Sequence, residues 1–315
     1  MSLALVFPGQ GSQSVGMLGE LAGQHAIVRR TYEEAADALG YDLWALTASG
    51  PAEQLNSTEC TQPAMLTAGV ATWRLWKEQG GAAPAMVAGH SLGEFTALVC
   101  AGALDFGAAV SLVRERGRAM QAAVPAGAGA MAAILGLDDA AAEAACLEAA
   151  QGEVVEAVNY NAPGQIVIAG HARAVERAMA AAKALGAKRA LLLPVSVPAH
   201  SSLLQGAAAQ FRERLAGTVI AAPDLRYVSA VDAAEHDTAA GVRAILERQL
   251  ASPVRWTATV LALTAAGATL LVECGPGEVL TALNRRIDRR PEVNCLAIED
   301  GTSLQAALDA ARSMQ

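Results

Sequence analysis

Aromatic residues are scarce in this chain, at 4% of the total, while Ala, Leu, Val and Gly dominate. That mix suits helices packed against buried strands. It argues against an all-β sandwich, whose strands draw on aromatic and β-branched residues. Basic charge is also short: 23 Lys and Arg stand against 31 Asp and Glu, a net charge of −8. A nucleic-acid duplex demands a basic patch that this chain does not display, so no nucleic-acid partner is expected. No apolar run reaches transmembrane length without a glycine or a charge, and the opening MSLALVFPGQ has neither the basic start nor the length of a signal peptide. A cytoplasmic protein without membrane attachment is expected. The five cysteines, Cys60, Cys100, Cys146, Cys274 and Cys295, are odd in number, widely spaced and free of any C-x-x-C pair. Neither a disulfide framework nor a zinc site is indicated, and buried, reduced thiols are expected.

What is present is apolar material: 53% of 315 residues, enough for one large core with a small companion. Leu3 to Phe7 reads as a buried strand stopped by Pro8-Gly9-Gln10-Gly11, a turn rich in free backbone N–H groups. Ala85 to Ala88 reads as a second strand, running into Gly89-His90-Ser91-Leu92-Gly93-Glu94 and a helix from Phe95 to Ala101. Between about 126 and 196 the pattern becomes strand (131–137), helix (138–150), strand (154–159), strand (165–169), helix (172–185) and strand (189–194). That β-α-β-β-α-β order is the ferredoxin-like unit. Gly/Ala/Pro-rich borders flank it, so the spacing predicts a small α+β domain, 126–196, inserted into a large domain of 1–125 and 197–315. A helix from His200 to Leu215, a strand near 225–229, a helix around 242–250 and a strand at 269–273 continue the large domain. The expected fold class is α/β, with a large α/β-hydrolase-like domain on a mostly parallel sheet.

Gly89-His90-Ser91-Leu92-Gly93 matches the G-x-S-x-G nucleophile elbow, in which a serine occupies a tight strand-to-helix turn and the glycines relieve crowding. The following helix offers unpaired N–H groups and a positive dipole end where an oxyanion can form. An ordinary turn with a serine at a helix start would look the same locally. A serine hydroxyl needs a general base, and five histidines are available. His25 and His236 lie in polar surroundings, His171 begins a helix, and His90 should point away from its neighbour. That leaves His200, at the end of the strand-like stretch 191–198, as a candidate base or simply as a histidine at a helix start. Projected as a helix, Asp105 to Val124 places Arg116 on the apolar face with Ala109, Val113, Gly117 and Met120, and puts Arg114 and Arg118 outside it. A guanidinium there pairs either with an Asp or Glu of the protein or with a substrate carboxylate, gripped at two points.

At this level of detail the sequence resembles the malonyl-CoA:acyl carrier protein transacylases and the acyltransferase domains of fatty-acid and polyketide synthases. The resemblance is carried by Phe7-Pro8-Gly9-Gln10-Gly11-Ser12-Gln13, Thr61-Gln62-Pro63-Ala64, the serine elbow, Arg116-Gly117 with Met120-Gln121, and Asn159-Tyr160-Asn161-Ala162-Pro163-Gly164-Gln165. Val197-Pro198-Ala199-His200-Ser201, Gln249-Leu250, Pro253-Val254-Arg255-Trp256 and Glu273-Cys274-Gly275-Pro276-Gly277 complete it, in family order across nearly the whole chain. It implies that Ser91 is the nucleophile and His200 its base, with the backbone N–H groups of Gln10 and Leu92 as the oxyanion hole. It further implies that Arg116 holds the malonyl carboxylate, that Gln62 and Met120 lie in the pocket, and that the carbonyl of Gln249 orients the histidine. Asn159 and Asn161 would lie on the small-domain side of the cleft.

The implied reaction takes malonyl-CoA and a holo acyl carrier protein as substrates, uses no cofactor or metal, and is carried out by a monomer. Carrier proteins are acidic, so a chain of net charge −8 would dock one through a local basic cluster, either Arg285, Arg286, Arg289 and Arg290 or Lys183, Lys188 and Arg189. Such side chains also commonly just face solvent. Two other readings compete: a serine thioesterase or hydrolase, which predicts an acidic triad member and no use for Arg116, and a non-catalytic scaffold of the same fold. Within the family, a discrete polyketide-pathway enzyme is the alternative to fatty-acid synthesis.

Overall fold

The computed structural model describes residues 2–125, 127–195 and 197–314. Along the chain its strands are β1 (Ser2–Phe7), β2 (Met86–Gly89), β3 (Gly129–Leu135), β4 (Val155–Ala162), β5 (Gln165–His171), β6 (Arg189–Leu192), β7 (Arg226–Val228), β8 (Ala268–Cys274) and β9 (Asn294–Ile298). They form two sheets. The first has the order β7-β2-β1-β8-β9, and every pairing in it is parallel. Parallel sheets are covered by helices on both faces, which is why β1 and β2 read as unbroken apolar runs. Leu3, Leu5 and Phe7 of β1 point into a core shared with the helices Ala26–Leu39, Thr58–Glu78 and Phe106–Ala122. Ala4 and Val6 point the other way, into a core built on Trp256, Val260 and Leu263. One strand thus stitches two cores together, and truncating Leu5 to alanine would cost about 3 kcal/mol.

The second sheet has the order β4-β5-β3-β6 and is antiparallel throughout. The helices Asp139–Ala150 and Ala172–Ala184 cover one of its faces through Ile134, Ile166, Ile168 and Val175. Its other face carries a small apolar cluster of Met131, Val158, Val167 and Ala169, with Leu193 and Val195 against it. The outer edge of β4 is not left open: Tyr160 donates to the Val254 carbonyl at 2.9 Å, and Val254 donates to the Val158 carbonyl at 2.8 Å. These bonds fasten the antiparallel sheet to the rest of the molecule and cap an edge that would otherwise pair with another chain.

The architecture is therefore α/β, a parallel sheet joined by an antiparallel one. The expected borders at 126 and 196 fall on the two interior positions outside the described residues. Two local expectations change. The helix expected from His200 begins instead at Gln205, after a short 3₁₀ turn, Ser202–Leu204. The strand expected to reach Pro194 ends at Leu192 and belongs to the antiparallel sheet, so His200 is delivered by a loop and not by the C-terminal edge of a parallel strand. All five cysteines are unpaired; Cys100 is partly exposed and the other four are buried. Among the described residues no helix is long and apolar enough to cross a membrane.

Candidate active site

The turn after β2 places Ser91 at φ 52°, the left-handed region that a side-chain-bearing residue adopts only when its surroundings force it. What forces it is close packing of glycines. A Cβ on Gly93 would lie 2.0 Å from the Phe7 carbonyl oxygen, and one on Gly89 would lie 1.9 Å from the Gly93 carbonyl carbon. Only glycine lets β2, the helix Gly93–Cys100 and the end of β1 approach so closely. The same packing brings the turn after β1 alongside: a Cβ on Gly9 would sit 2.6 Å from the His90 carbonyl oxygen. The two turns therefore lie side by side. Among the described residues neither the Gln10 N–H nor the Leu92 N–H has a protein acceptor. The Gln10 turn is braced by Gln13, whose Oε1 accepts from Gly11 N at 2.7 Å and whose Nε2 donates to Asn56 Oδ1 at 2.9 Å.

His200 also has a positive φ, of 66°, and is buried. Its Nε2 lies 2.7 Å from Ser91 Oγ. Its Nδ1 lies 3.1 Å from the carbonyl oxygens of both Gln249 and Ser252. Carbonyls only accept, so Nδ1 carries the proton and Nε2 is left as the acceptor for the serine hydroxyl. Backbone carbonyls thus do the orienting, and among the described residues no carboxylate touches this histidine. Burial first, and the nearby Arg116 cation second, lower the His200 pKa from 6.5 to about 3. The imidazole is neutral, and ready to accept a proton, across the physiological range. The loop that carries it is tied to the antiparallel sheet: Glu156 of β4 accepts from Ser202 N at 2.7 Å and from Ser202 Oγ at 2.8 Å.

Arg116 is 1% exposed on the apolar face of the helix Phe106–Ala122, with Ala109, Val113, Gly117 and Met120, as the helical projection anticipates. Arg118 lies outside that face and pairs with Glu59 and Glu115. The Arg116 partners are neutral: Gln62 Oε1 at 3.0 Å, Ser91 Oγ at 3.2 Å and Gln249 Oε1 at 2.9 Å. Its Nε has no protein acceptor, and among the described residues it forms no ion pair. Burial lowers its pKa to about 10, with the charge of Glu94 opposing the shift, so it stays cationic at neutral pH.

These groups open onto a cavity of about 480 Å³. Gln10, Ser91, Leu92 and Arg116 line its floor with Met120 and His200. Asn159 and Asn161 line it from the β4 side, and Met131, Val167 and Leu193 give it an apolar wall. Asn161 Oδ1 is 2.8 Å from His90 Nε2, whereas Asn159 Oδ1 is buried with no protein donor. Gln62 and Gln249 stand behind Arg116, and Gln62 also contacts Met120 Sδ at 3.3 Å. All ten residues singled out from the sequence therefore converge on one place. No local pattern in the sequence assigns a role to Asn56, Glu156 or Glu94. Gln13 and Glu94 stood inside the motifs, but nothing local announced what they would hold.

Residues 4–298 match the acyl transferase domain family. The malonyl CoA-acyl carrier protein transacylase of Salmonella typhimurium is 56% identical over 97% of this chain and 98% of its own length. Among solved structures, an acyl carrier protein S-malonyltransferase from Vibrio cholerae superposes with a TM-score of 0.94 at 53% identity, over 97% of this chain and 99% of that one. A type II PKS acyl-carrier protein in complex with its malonyl-transacylase gives a TM-score of 0.96 at 52% identity, over 98% of this chain and 100% of that one. The chain belongs to the acyl transferase domain family and, within it, to the malonyl CoA-acyl carrier protein transacylases.

Proposed function

We propose that this chain moves a malonyl group from coenzyme A to the phosphopantetheine thiol of an acyl carrier protein through an ester on Ser91. The observation that carries the reading is Arg116, a buried guanidinium without a carboxylate partner, 3.2 Å from a serine hydroxyl that is itself bonded to a neutral histidine. A hydrolase of neutral acyl chains gains nothing from such a cation and would need a carboxylate on His200 Nδ1, where two backbone carbonyls stand instead.

In the first half-reaction His200 Nε2 takes the Ser91 proton as Oγ attacks the thioester carbonyl. The developing oxyanion is received by the N–H groups of Gln10 and Leu92, with the helix dipole behind Leu92. The carbon–sulfur bond breaks, the proton passes from His200 to the coenzyme A sulfur, and malonyl-Ser91 remains. The carrier thiol then gives its proton to Nε2, its sulfur attacks the ester, and Ser91 departs with the proton in a ping-pong exchange. A malonyl carboxylate on Arg116 also offsets the cation that lowers the His200 pKa, so substrate binding strengthens the base. Met120 and Gln62 shape the malonyl end of the pocket, while Asn159 and Asn161 face the pantetheine amides. The scheme needs no cofactor, and because nucleophile, base and clamp come from one chain, a monomer suffices.

The chain divides on this reading into 1–125 with 197–315, an α/β-hydrolase-like catalytic part, and 126–196, a ferredoxin-like part whose strand order, antiparallel pairing and separate core support that class. The carrier protein docks through a local basic surface, for which Lys183, Lys188, Arg189 and Arg289 are exposed. Arg290 is held by Asp288, Arg285 donates to the Cys295 carbonyl, and Arg286 donates to Gln165 Oε1 and the Pro163 carbonyl, so these three contribute less. The malonyl carrier product serves fatty-acid or polyketide chain building alike.

The test is mass spectrometry of the intact protein after brief exposure to malonyl-CoA. A malonyl-sized adduct is expected on the wild type, none on Ser91→Ala, and a weak one on Arg116→Ala or with acetyl-CoA. Equal loading of acetyl and malonyl would sink the carboxylate reading.

A further inference from the structure

Glu94 is fully buried in the first turn of the helix beneath Ser91 and takes no part in the exchange just described. Its Oε1 accepts from Tyr227 Oη at 2.8 Å, Ser229 Oγ at 2.6 Å and Ala230 N at 2.8 Å, and its Oε2 accepts from Gln249 Nε2. Four groups donate to it. Burial pushes its carboxyl up from the usual carboxylate range, and these hydrogen bonds oppose that shift. The Ala230 N–H and the Gln249 amide NH₂ can only donate, so each oxygen of Glu94 serves as an acceptor. The second Nε2 hydrogen of Gln249 goes to the Ser91 carbonyl at 2.9 Å, while Oε1 of the same amide accepts from Arg116. Turning the amide over would set its oxygen against two acceptors and its NH₂ against the guanidinium. A single orientation satisfies every group.

We infer that Glu94 is a positioning residue for acyl selectivity: its carboxylate fixes the Gln249 amide so that a neutral oxygen, and not a charge, meets Arg116. A direct Arg–Glu pair would occupy the guanidinium and compete with the substrate carboxylate. An interposed amide transmits the orientation and leaves the cation unneutralised for its ligand. Glu94 also supplies a distant negative charge that helps a buried arginine stay protonated. The backbone carbonyl of Gln249 meets His200, so the same side chain sits between base and clamp.

This inference rests on Arg116 being the carboxylate clamp, and the experiment separates the two ideas. Malonyl and acetyl loading rates are measured by rapid quench for the wild type, Glu94→Gln, Gln249→Met and Arg116→Ala, with melting temperatures recorded alongside. Glu94→Gln sets one NH₂ against another and drives the Gln249 amide to turn over. Malonyl loading should then fall on the order of tenfold, the scale of a hydrogen bond to a charged group, while acetyl loading changes little. Gln249→Met leaves Glu94 its three other donors, should show the same collapse of the malonyl-to-acetyl ratio, and decides the matter if Glu94→Gln does not fold. A folded Glu94→Gln or Gln249→Met that keeps the wild-type ratio, while Arg116→Ala loses it, overturns the role of Glu94 alone. An Arg116→Ala that keeps the ratio overturns the clamp itself.

Discussion

Ser91 and His200 meet at 2.7 Å and share a left-handed backbone, at φ 52° and 66°, yet the two are held in different ways. The serine is fixed by its own neighbourhood: β2 before it, the helix Gly93–Cys100 after it, and glycines that admit only that turn. The histidine sits in a loop between β6 and the 3₁₀ turn. It is fixed from outside, by the Gln249 and Ser252 carbonyls and by Glu156 acting on Ser202. On the proposed roles, a nucleophile held locally and a base held at a distance fail differently when disturbed.

The largest expected effect removes one member without moving the other. His200→Ala should slow malonyl loading by about 10⁴-fold with the fold intact, the scale on which a triad member is missed, as single-turnover quench would show. A loss below tenfold would mean that Ser91 finds its base elsewhere. Gly93→Ala attacks the local arrangement. Its Cβ cannot fit against the Phe7 carbonyl, and a loss of about 3 kcal/mol is expected in urea unfolding. An unchanged midpoint would show that the elbow tolerates crowding. Glu156→Gln attacks the distant arrangement: a carboxylate accepting two bonds becomes an amide with one acceptor. Loading should fall about tenfold while stability changes by roughly 1 kcal/mol. If stability fell and rate did not, Glu156 would be a structural tie and nothing more.

The smallest expected effect is an absence of change. Because the His200 pKa is lowered to about 3, the loading rate should stay flat between about pH 5 and pH 7, where an ordinary imidazole would switch off. A titration centred near 6.5 would show that the histidine is far more solvated than its burial implies. The sign for stability follows from the same depression. The contribution of the neutral, buried ring is fully present above 6.5 and is lost as the pH falls from there towards 3.

The same contrast decides what could be read from the sequence. Ser91 was legible because its strand, glycines and helix are consecutive, and Arg116 was legible because a helical period places it on an apolar face. The β-α-β-β-α-β order also survives translation into structure, since each of its elements is built from local pattern. His200 was found by elimination among five histidines, and a loop delivers it where a strand end was expected. The carbonyls that orient it lie 49 and 52 residues away, beyond any local pattern, and the Gln249 carbonyl was implied by the family resemblance alone. Glu94 sits only three positions from Ser91, but its side-chain partners are 133 to 155 residues distant, so no spacing could reveal them. The segment from Trp256 onwards was under-read for a similar reason. The helix Trp256–Ala265 is apolar on most sides and carries little periodic signal, and β9 is short and partly exposed.

Strand β1 lies between β2 on one side and β8 on the other, and the Gln10 turn hangs from its end. During synthesis the serine elbow is complete in sequence by Cys100, whereas the second flank of β1, Ala268–Cys274, leaves the ribosome much later. The sheet centre therefore closes late, through contacts of very high sequence separation. A growing chain carries Ser91 long before it has a settled bed for the turn that holds Gln10. On the proposed roles, acylating power waits for completion of the fold, and a half-made molecule holds a serine but not yet an enzyme.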